Sequence, residues 1–146
     1  MFEIASYAAD IATVGMLAIA VCQLRSDLRR NQQMATLEAY DILPRDAFDV
    51  LNKWSPKEIK EVCKNRQSDV YKDLSVALAR IEHFCVGINY KVYDIDIFYE
   101  MSHGYFDEGG ALYRRMMPLL ESKLSMAKED YFVNIHKVLA EMKRKS

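Results

Sequence analysis

The stretch EIASYAADIATVGMLAIAVCQLRSDLRRNQQ, Glu3 to Gln33, decides how the rest of the chain is read. Its first two-thirds are mostly apolar, and it turns basic immediately after Leu24. From Ile11 to Leu24 the apolar run is roughly 14 residues, a length that suits a core or interfacial helix better than a membrane span. Counted from Ile4 it is about 21 residues, or roughly 32 Å of helix, which is enough to cross a bilayer. The longer count has to include Asp10, whose ionised carboxylate costs on the order of 2.5–3.5 kcal/mol near the centre of an inserting helix. About ten strongly apolar residues downstream offset one such cost.

The polar residues are ordered. Glu3, Ser6, Asp10 and Thr13 are spaced three, four and three apart, so they share one face of a helix. Such a stripe suits a spanning helix with one side turned from lipid, toward a neighbouring helix or a water-filled lumen. The Ala5/Ala9 and Ala8/Ala12 pairs and Gly15 permit close approach of other helices, which in a single-span protein belong to other copies. These four polar residues are therefore the candidate pore- or contact-lining set. Arg25, Arg29 and Arg30 follow the run and are candidates for contact with anionic headgroups at its cytoplasmic end, while the opposite flank carries only Glu3. That order is expected of an uncleaved anchor with its N-terminus out and its bulk inside, rather than a removed leader. The competing reading is a soluble amphipathic helix whose polar face, arginines included, simply meets water.

Composition bounds the remainder. At 146 residues the chain is long enough for one domain with a real core, and half of its residues are apolar. A net charge of −1 supplies no field for nucleic acid, so direct nucleic-acid binding is not expected. Five glycines and three prolines argue against a turn-rich β-sandwich or barrel. Three cysteines, Cys22, Cys63 and Cys85, lack paired spacing and read as reduced thiols in a cytosolic compartment.

Along the chain no helix breaker precedes Pro44, so the first helix is expected to reach about Asp41. A short helix follows, from Pro44 or Arg45 to Trp54. Ser55-Pro56-Lys57-Glu58 forms a capping box with proline at N1 and opens a helix to about Lys64. Val70, Leu74, Leu78, Ile81, Cys85 and Ile88 recur at spacings of four and three and mark the principal core helix, ending near Tyr90 or Lys91. Asp94 or Asp96 caps the next helix, which fades at Gly104. Pro118 is expected to kink or restart a helix beginning after Gly109-Gly110. A last amphipathic helix is expected from Glu129 to Lys145. Convincing alternating strands are absent. The fold class that follows is all-α: a transmembrane and stalk helix over 1–43, then a cytosolic helical bundle over 44–146.

The candidate chemistry is thin. Glu82, His83 and Cys85 lie too close on one helix to share a face. Asp94, Asp96 and Glu100 resemble part of a divalent-ion set, although capping explains the same acids. Gly104 and Gly109-Gly110 lack the strand and signature of a phosphate loop. Tyr90, Tyr93, Phe98, Tyr99, Tyr105, Phe106 and Tyr113 form an aromatic-rich middle, read as core rather than as a nucleobase platform because basic residues are not interleaved with it. No nucleophile-elbow or cysteine-protease signature is present. The expectation is a non-enzyme with no metal and no cofactor; an enzyme using Asp94, Asp96 and Glu100 ranks last.

The segments QLRSDLRRNQQMATLE (Gln23 to Glu38), ALARIEHFCVGINYKVYDIDIFYEMSHGYF (Ala77 to Phe106) and LYRRMMPLLESK (Leu112 to Lys123) give a layout that resembles a widespread bacterial family of small single-span membrane-anchored helical proteins of unknown function. It is more loosely similar to membrane accessory proteins of RNA-targeting CRISPR systems. That similarity implies a homo-oligomeric inner-membrane pore or effector in defence against phage, with membrane lipid, sister copies and an unidentified activating ligand or defence-system protein as partners. Accessory proteins of this kind stand beside a helical RNase family in which four to six residues separate an arginine from a histidine. Here Arg80 and His83 are too close, and neither His103 nor His136 has an arginine at that distance, which speaks against RNase activity. The alternative is a soluble or tethered helical module that binds a protein or nucleotide ligand.

Overall fold

The computed structural model describes residues 2–42, 44–124 and 132–145, with side chains described over 13–42, 45–124 and 132–145. The described residues form seven helices and no strand: α1 (Phe2–Ile42), α2 (Pro44–Asn52), α3 (Pro56–Val62), α4 (Asp69–Asn89), α5 (Ile95–Ser102), α6 (Ala111–Leu124) and α7 (Val133–Lys145). The all-α expectation holds, and the helix boundaries fall within a few residues of the sequence signals. The capping box at α3 is complete: the Glu58 amide donates to the Ser55 hydroxyl at 3.3 Å, and the Ser55 amide donates to the Glu58 carboxylate at 2.7 Å. Pro118 lies inside α6, which continues through it. The expected start of α7 near Glu129 falls outside the described residues.

Helix α4 is the hub. Its stripe of Tyr71, Leu74, Ala77, Leu78, Ile81, Phe84, Cys85 and Ile88 is buried, and α2, α6 and α7 pack against it. The core is completed by Leu51 of α2, Ile59 of α3, Phe98 of α5, Leu112, Met116, Leu119 and Leu120 of α6, and Ile135, Val138 and Met142 of α7. Helix α7 is fastened at its first turn by a side chain from another helix. The Glu82 carboxylate accepts the backbone amides of Asn134 at 3.1 Å and Ile135 at 2.9 Å, together with the Asn134 side-chain amide at 2.6 Å. This satisfies donors that a helix start otherwise leaves open.

Among the described residues of α1, only the last part belongs to this bundle. Ala39 and Tyr40 pack against the core, and Thr36 is fully buried. The Thr36 hydroxyl donates to the Gln32 carbonyl at 2.6 Å and accepts the Asp94 amide at 2.6 Å. The Gln32 side-chain amide in turn donates to the Lys91 carbonyl. The loop it grips leaves α4 tightly: the Val92 and Tyr93 amides both donate to the Gly87 carbonyl, and Lys91 takes a left-handed backbone at φ 58°. The Tyr93 ring then folds back over Gly87, where a Cβ would lie 2.3 Å from it, and stacks on Phe84 at 5.0 Å. Only glycine leaves room for that ring.

Thr36→Val keeps the shape and removes both hydroxyl bonds, stranding the Asp94 amide. The expected cost is about 1–3 kcal/mol, read as a fall of several degrees in Tm by circular dichroism. An unchanged Tm would show that the junction is not held by this hydroxyl.

Candidate functional site: the exposed N-terminal helix

Ahead of its docked end, α1 stands clear of the bundle. Every side chain from Thr13 to Asn31 is exposed. The apolar ones are large: Val14 is 68% exposed, Leu17 65%, Ile19 59% and Leu24 61%. Their positions step round the helix instead of gathering on one side. A helix apolar on all sides belongs in the interior of a large protein or in lipid, whereas a one-sided stripe belongs on a bundle. The described apolar run, Thr13 to Leu24, is 12 residues, about 18 Å at 1.5 Å per residue, against a hydrocarbon core of about 30 Å. Among the described residues no helix is long and apolar enough to cross a membrane. The transmembrane reading of α1 therefore needs Ile4 to Ala12, whose side chains lie outside the described residues.

Among the predicted site residues, Thr13 is exposed on this helix. Glu3, Ser6 and Asp10 lie in its continuous backbone, but their side chains fall outside the described residues. Arg25, Arg29 and Arg30 are all exposed, within two turns after Leu24. Arg29 also borders a cleft of about 310 Å³ where α1 meets the bundle, shared with Gln32, Lys91, Asp94, Asp96 and Glu141. The cleft and its lysine were not legible in the sequence, because no local pattern signals which loop lands beside α1.

The groups with chemical potential inside the bundle are engaged in structure. The Asp94 carboxylate caps α5 by accepting the amides of Asp96 at 2.8 Å and Ile97 at 3.4 Å. Asp96 pairs with Lys145, and Glu100 is exposed. Glu82 holds α7, His83 is exposed, and Cys85 is fully buried with its thiol pushed well above the ordinary range, first by burial and then by the Glu82 charge. Burial likewise raises the Cys63 thiol, which donates to the Pro118 carbonyl at 3.6 Å. Among the described residues no group of three or more His, Cys, Asp or Glu side chains is placed to hold a metal ion.

Of the aromatic-rich middle, Phe98 and Phe106 are buried, and Tyr93, Tyr99, Tyr105 and Tyr113 are half-buried. Phe84, Phe98 and Phe106 pack ring against ring at 5.1 Å, with Tyr40 and Tyr93 closing the set, so these rings offer no stacking platform. Burial also raises the Tyr40 phenol, with smaller contributions from Tyr105 and Asp41. Tyr90, by contrast, is 77% exposed.

No protein-family model, curated protein or solved structure matches the chain.

The exposed side chains of α1 are expected to add nothing to the folding of a single chain. Leu17→Ser should change the stability of the purified protein by no more than about 0.5 kcal/mol, as for other surface positions. Phe98→Ala should cost about 3–5 kcal/mol, because it empties the aromatic core. Chemical denaturation followed by circular dichroism compares the two; a large loss for Leu17→Ser would mean that the helix packs against something within the same chain.

Proposed function

We propose that the chain is a membrane-anchored helical protein that self-associates through α1, with the face of Glu3, Ser6, Asp10 and Thr13 turned toward sister copies. The observation that carries this reading is an exposed helix, apolar on all sides from Thr13 to Leu24, which ends at three exposed arginines. In water an apolar surface of this extent drives association. Lipid covers it without requiring a preferred face, and the arginines then mark the cytoplasmic border, with the N-terminus out and the bundle inside. On this reading the span runs from about Ile4 to Leu24, and sister copies shield Asp10 from lipid.

The finer proposal is an oligomeric inner-membrane pore or effector acting in phage defence, supported by the resemblance to membrane accessory proteins. A ring of acidic side chains favours cations over anions. No catalytic role is assigned, since the acids Asp94 and Asp96 are engaged in a cap and an ion pair. A second reading, a tethered module for a protein or nucleotide ligand, draws support from a groove of about 350 Å³ between α2 and α4. Trp54, Val50 and Val76 line it, with Lys53, Asp73 and Arg80 at its charged positions.

Cysteine cross-linking separates the two readings. Cys22 follows Thr13 by about two and a half turns and so lies on the opposite side of the helix. In membranes, Thr13→Cys on a Cys22→Ser background is expected to form covalent dimers under mild oxidation, while the native Cys22 is not. Asp10→Leu should abolish cation flux in reconstituted vesicles. A monomeric mass after detergent extraction, with no cross-link from Thr13→Cys, would leave only the tethered module.

A further inference from the structure

The cleft between α1 and the α4–α5 loop is lined by charges of both signs. Arg29 stands on α1 and Lys91 on the loop, both exposed, and neither forms an ion pair among the described residues. Of the acids, Asp94 is occupied in capping α5 and Asp96 is paired with Lys145. The hydrogen bond to Asp96 raises the Lys145 ammonium, and Glu141, half-buried on α7, adds a smaller charge contribution but forms no ion pair with it. Two cations, Arg29 and Lys91, and one carboxylate, Glu141, are therefore left for a ligand.

The cleft's position points to that ligand. Arg29 lies five residues beyond Leu24, about 7.5 Å along the axis, within the headgroup layer of about 5–8 Å that borders the hydrocarbon. Beside it the loop displays Tyr90 at 77% and Val92 at 54% exposure, flanking Lys91. An exposed tyrosine, lysine and aliphatic side chain in sequence form the amphipathic set that settles at a lipid–water boundary. The left-handed backbone at Lys91 is unfavourable for a side chain of this kind, and the Gln32 contact holds it there.

We propose that this cleft seats one phospholipid headgroup carrying a phosphate and a primary ammonium, of the phosphatidylethanolamine type, while the Tyr90–Val92 loop beds on the bilayer surface. The phosphate lies between Arg29 and Lys91, and the ammonium donates to Glu141. Both charges of the zwitterion then meet their complements. Choline offers no N–H donor for Glu141, and a glycerol headgroup offers that carboxylate only neutral hydroxyl donors and no cation. The proposal rests on the anchored reading of α1.

The test uses the full chain with a polarity-sensitive fluorophore on Tyr90→Cys, in a Cys22→Ser, Cys63→Ser background, in phosphatidylcholine vesicles of rising phosphatidylethanolamine content. The label is expected to move to a less polar environment as phosphatidylethanolamine rises. The content at half-change should increase severalfold for Arg29→Gln or Lys91→Gln, each of which removes one charge-assisted hydrogen bond to the phosphate. Glu141→Gln should erase the preference over phosphatidylcholine. An identical response in both lipids, an equal or stronger one with phosphatidylglycerol, or the same response to soluble glycerophosphoethanolamine in detergent would each overturn the headgroup seat. Extraction by alkaline carbonate is scored in parallel: a chain that stays in the vesicles keeps the anchored reading whatever the label does, and a chain that is released loses both.

Discussion

One buried hydroxyl sets where the exposed helix stands. Thr36 lies on the last turns of α1 and serves the Gln32 carbonyl and the Asp94 amide at once, so the end of α1, the exit from α4 and the start of α5 form a single hydrogen-bonded unit. A threonine that bonds back to the carbonyl four residues earlier normally weakens its helix slightly. Here the oxygen's remaining acceptor site is filled by the amide of a residue that must itself begin a helix, and burying the hydroxyl satisfied at both ends avoids the penalty of an orphaned polar group. The consequence is mechanical. The helix carrying Arg25, Arg29 and Arg30 is continuous with a segment built into the core, so the bundle is held at a set angle to those arginines and does not hang from a flexible tether.

The same economy explains why the bundle offers so little chemistry. In a small domain every helix start needs donors satisfied and every buried stripe needs a partner. Glu82 meets the first need for α7 and Asp94 for α5. The rings at Phe84, Phe98 and Phe106 meet the second where α4, α5 and the following loop converge. Glu82, Asp94, Asp96 and the phenylalanine rings, which suggest a site in one dimension, are drawn into structure in three, while most of the large apolar side chains left exposed fall on α1 and the loop beside it.

That division also decides what could be read in advance. Local signals survived: the Ser55 capping box and the three–four spacing from Val70 to Ile88 gave α3 and α4 to within about two residues, because each depends on neighbours within one or two turns. Val70 itself is only half-buried, and the stripe rotates to Tyr71 at that end, since which edge of a helix faces the core depends on the crossing angle of its partner. The Thr36, Gln32 and Lys91 contacts were illegible. Each joins residues more than fifty positions apart, and threonine and glutamine in a polar helix carry no mark of their partners. The acidic stripe from Glu3 to Thr13 remains a reading of spacing, because three of its four side chains lie outside the described residues.

The change in pattern along α1 is itself evidence about solvent. From Thr13 to Leu24 the exposed apolar residues occupy every side; from Gln32 onward a single side, through Thr36, Ala39 and Tyr40, meets the bundle. A helix that passes from unselective to one-sided apolarity passes from an environment with no preferred direction to one with a partner on one flank. The arginines stand where the change occurs. By spacing along an ideal helix, the Glu3–Thr13 face is rotated about a quarter turn from the side that docks on the bundle. On the proposed reading, copies meeting through that face in lipid would bring their bundles side by side rather than into collision, and the Thr36 junction would hold each bundle clear of its neighbour's N-terminal helix.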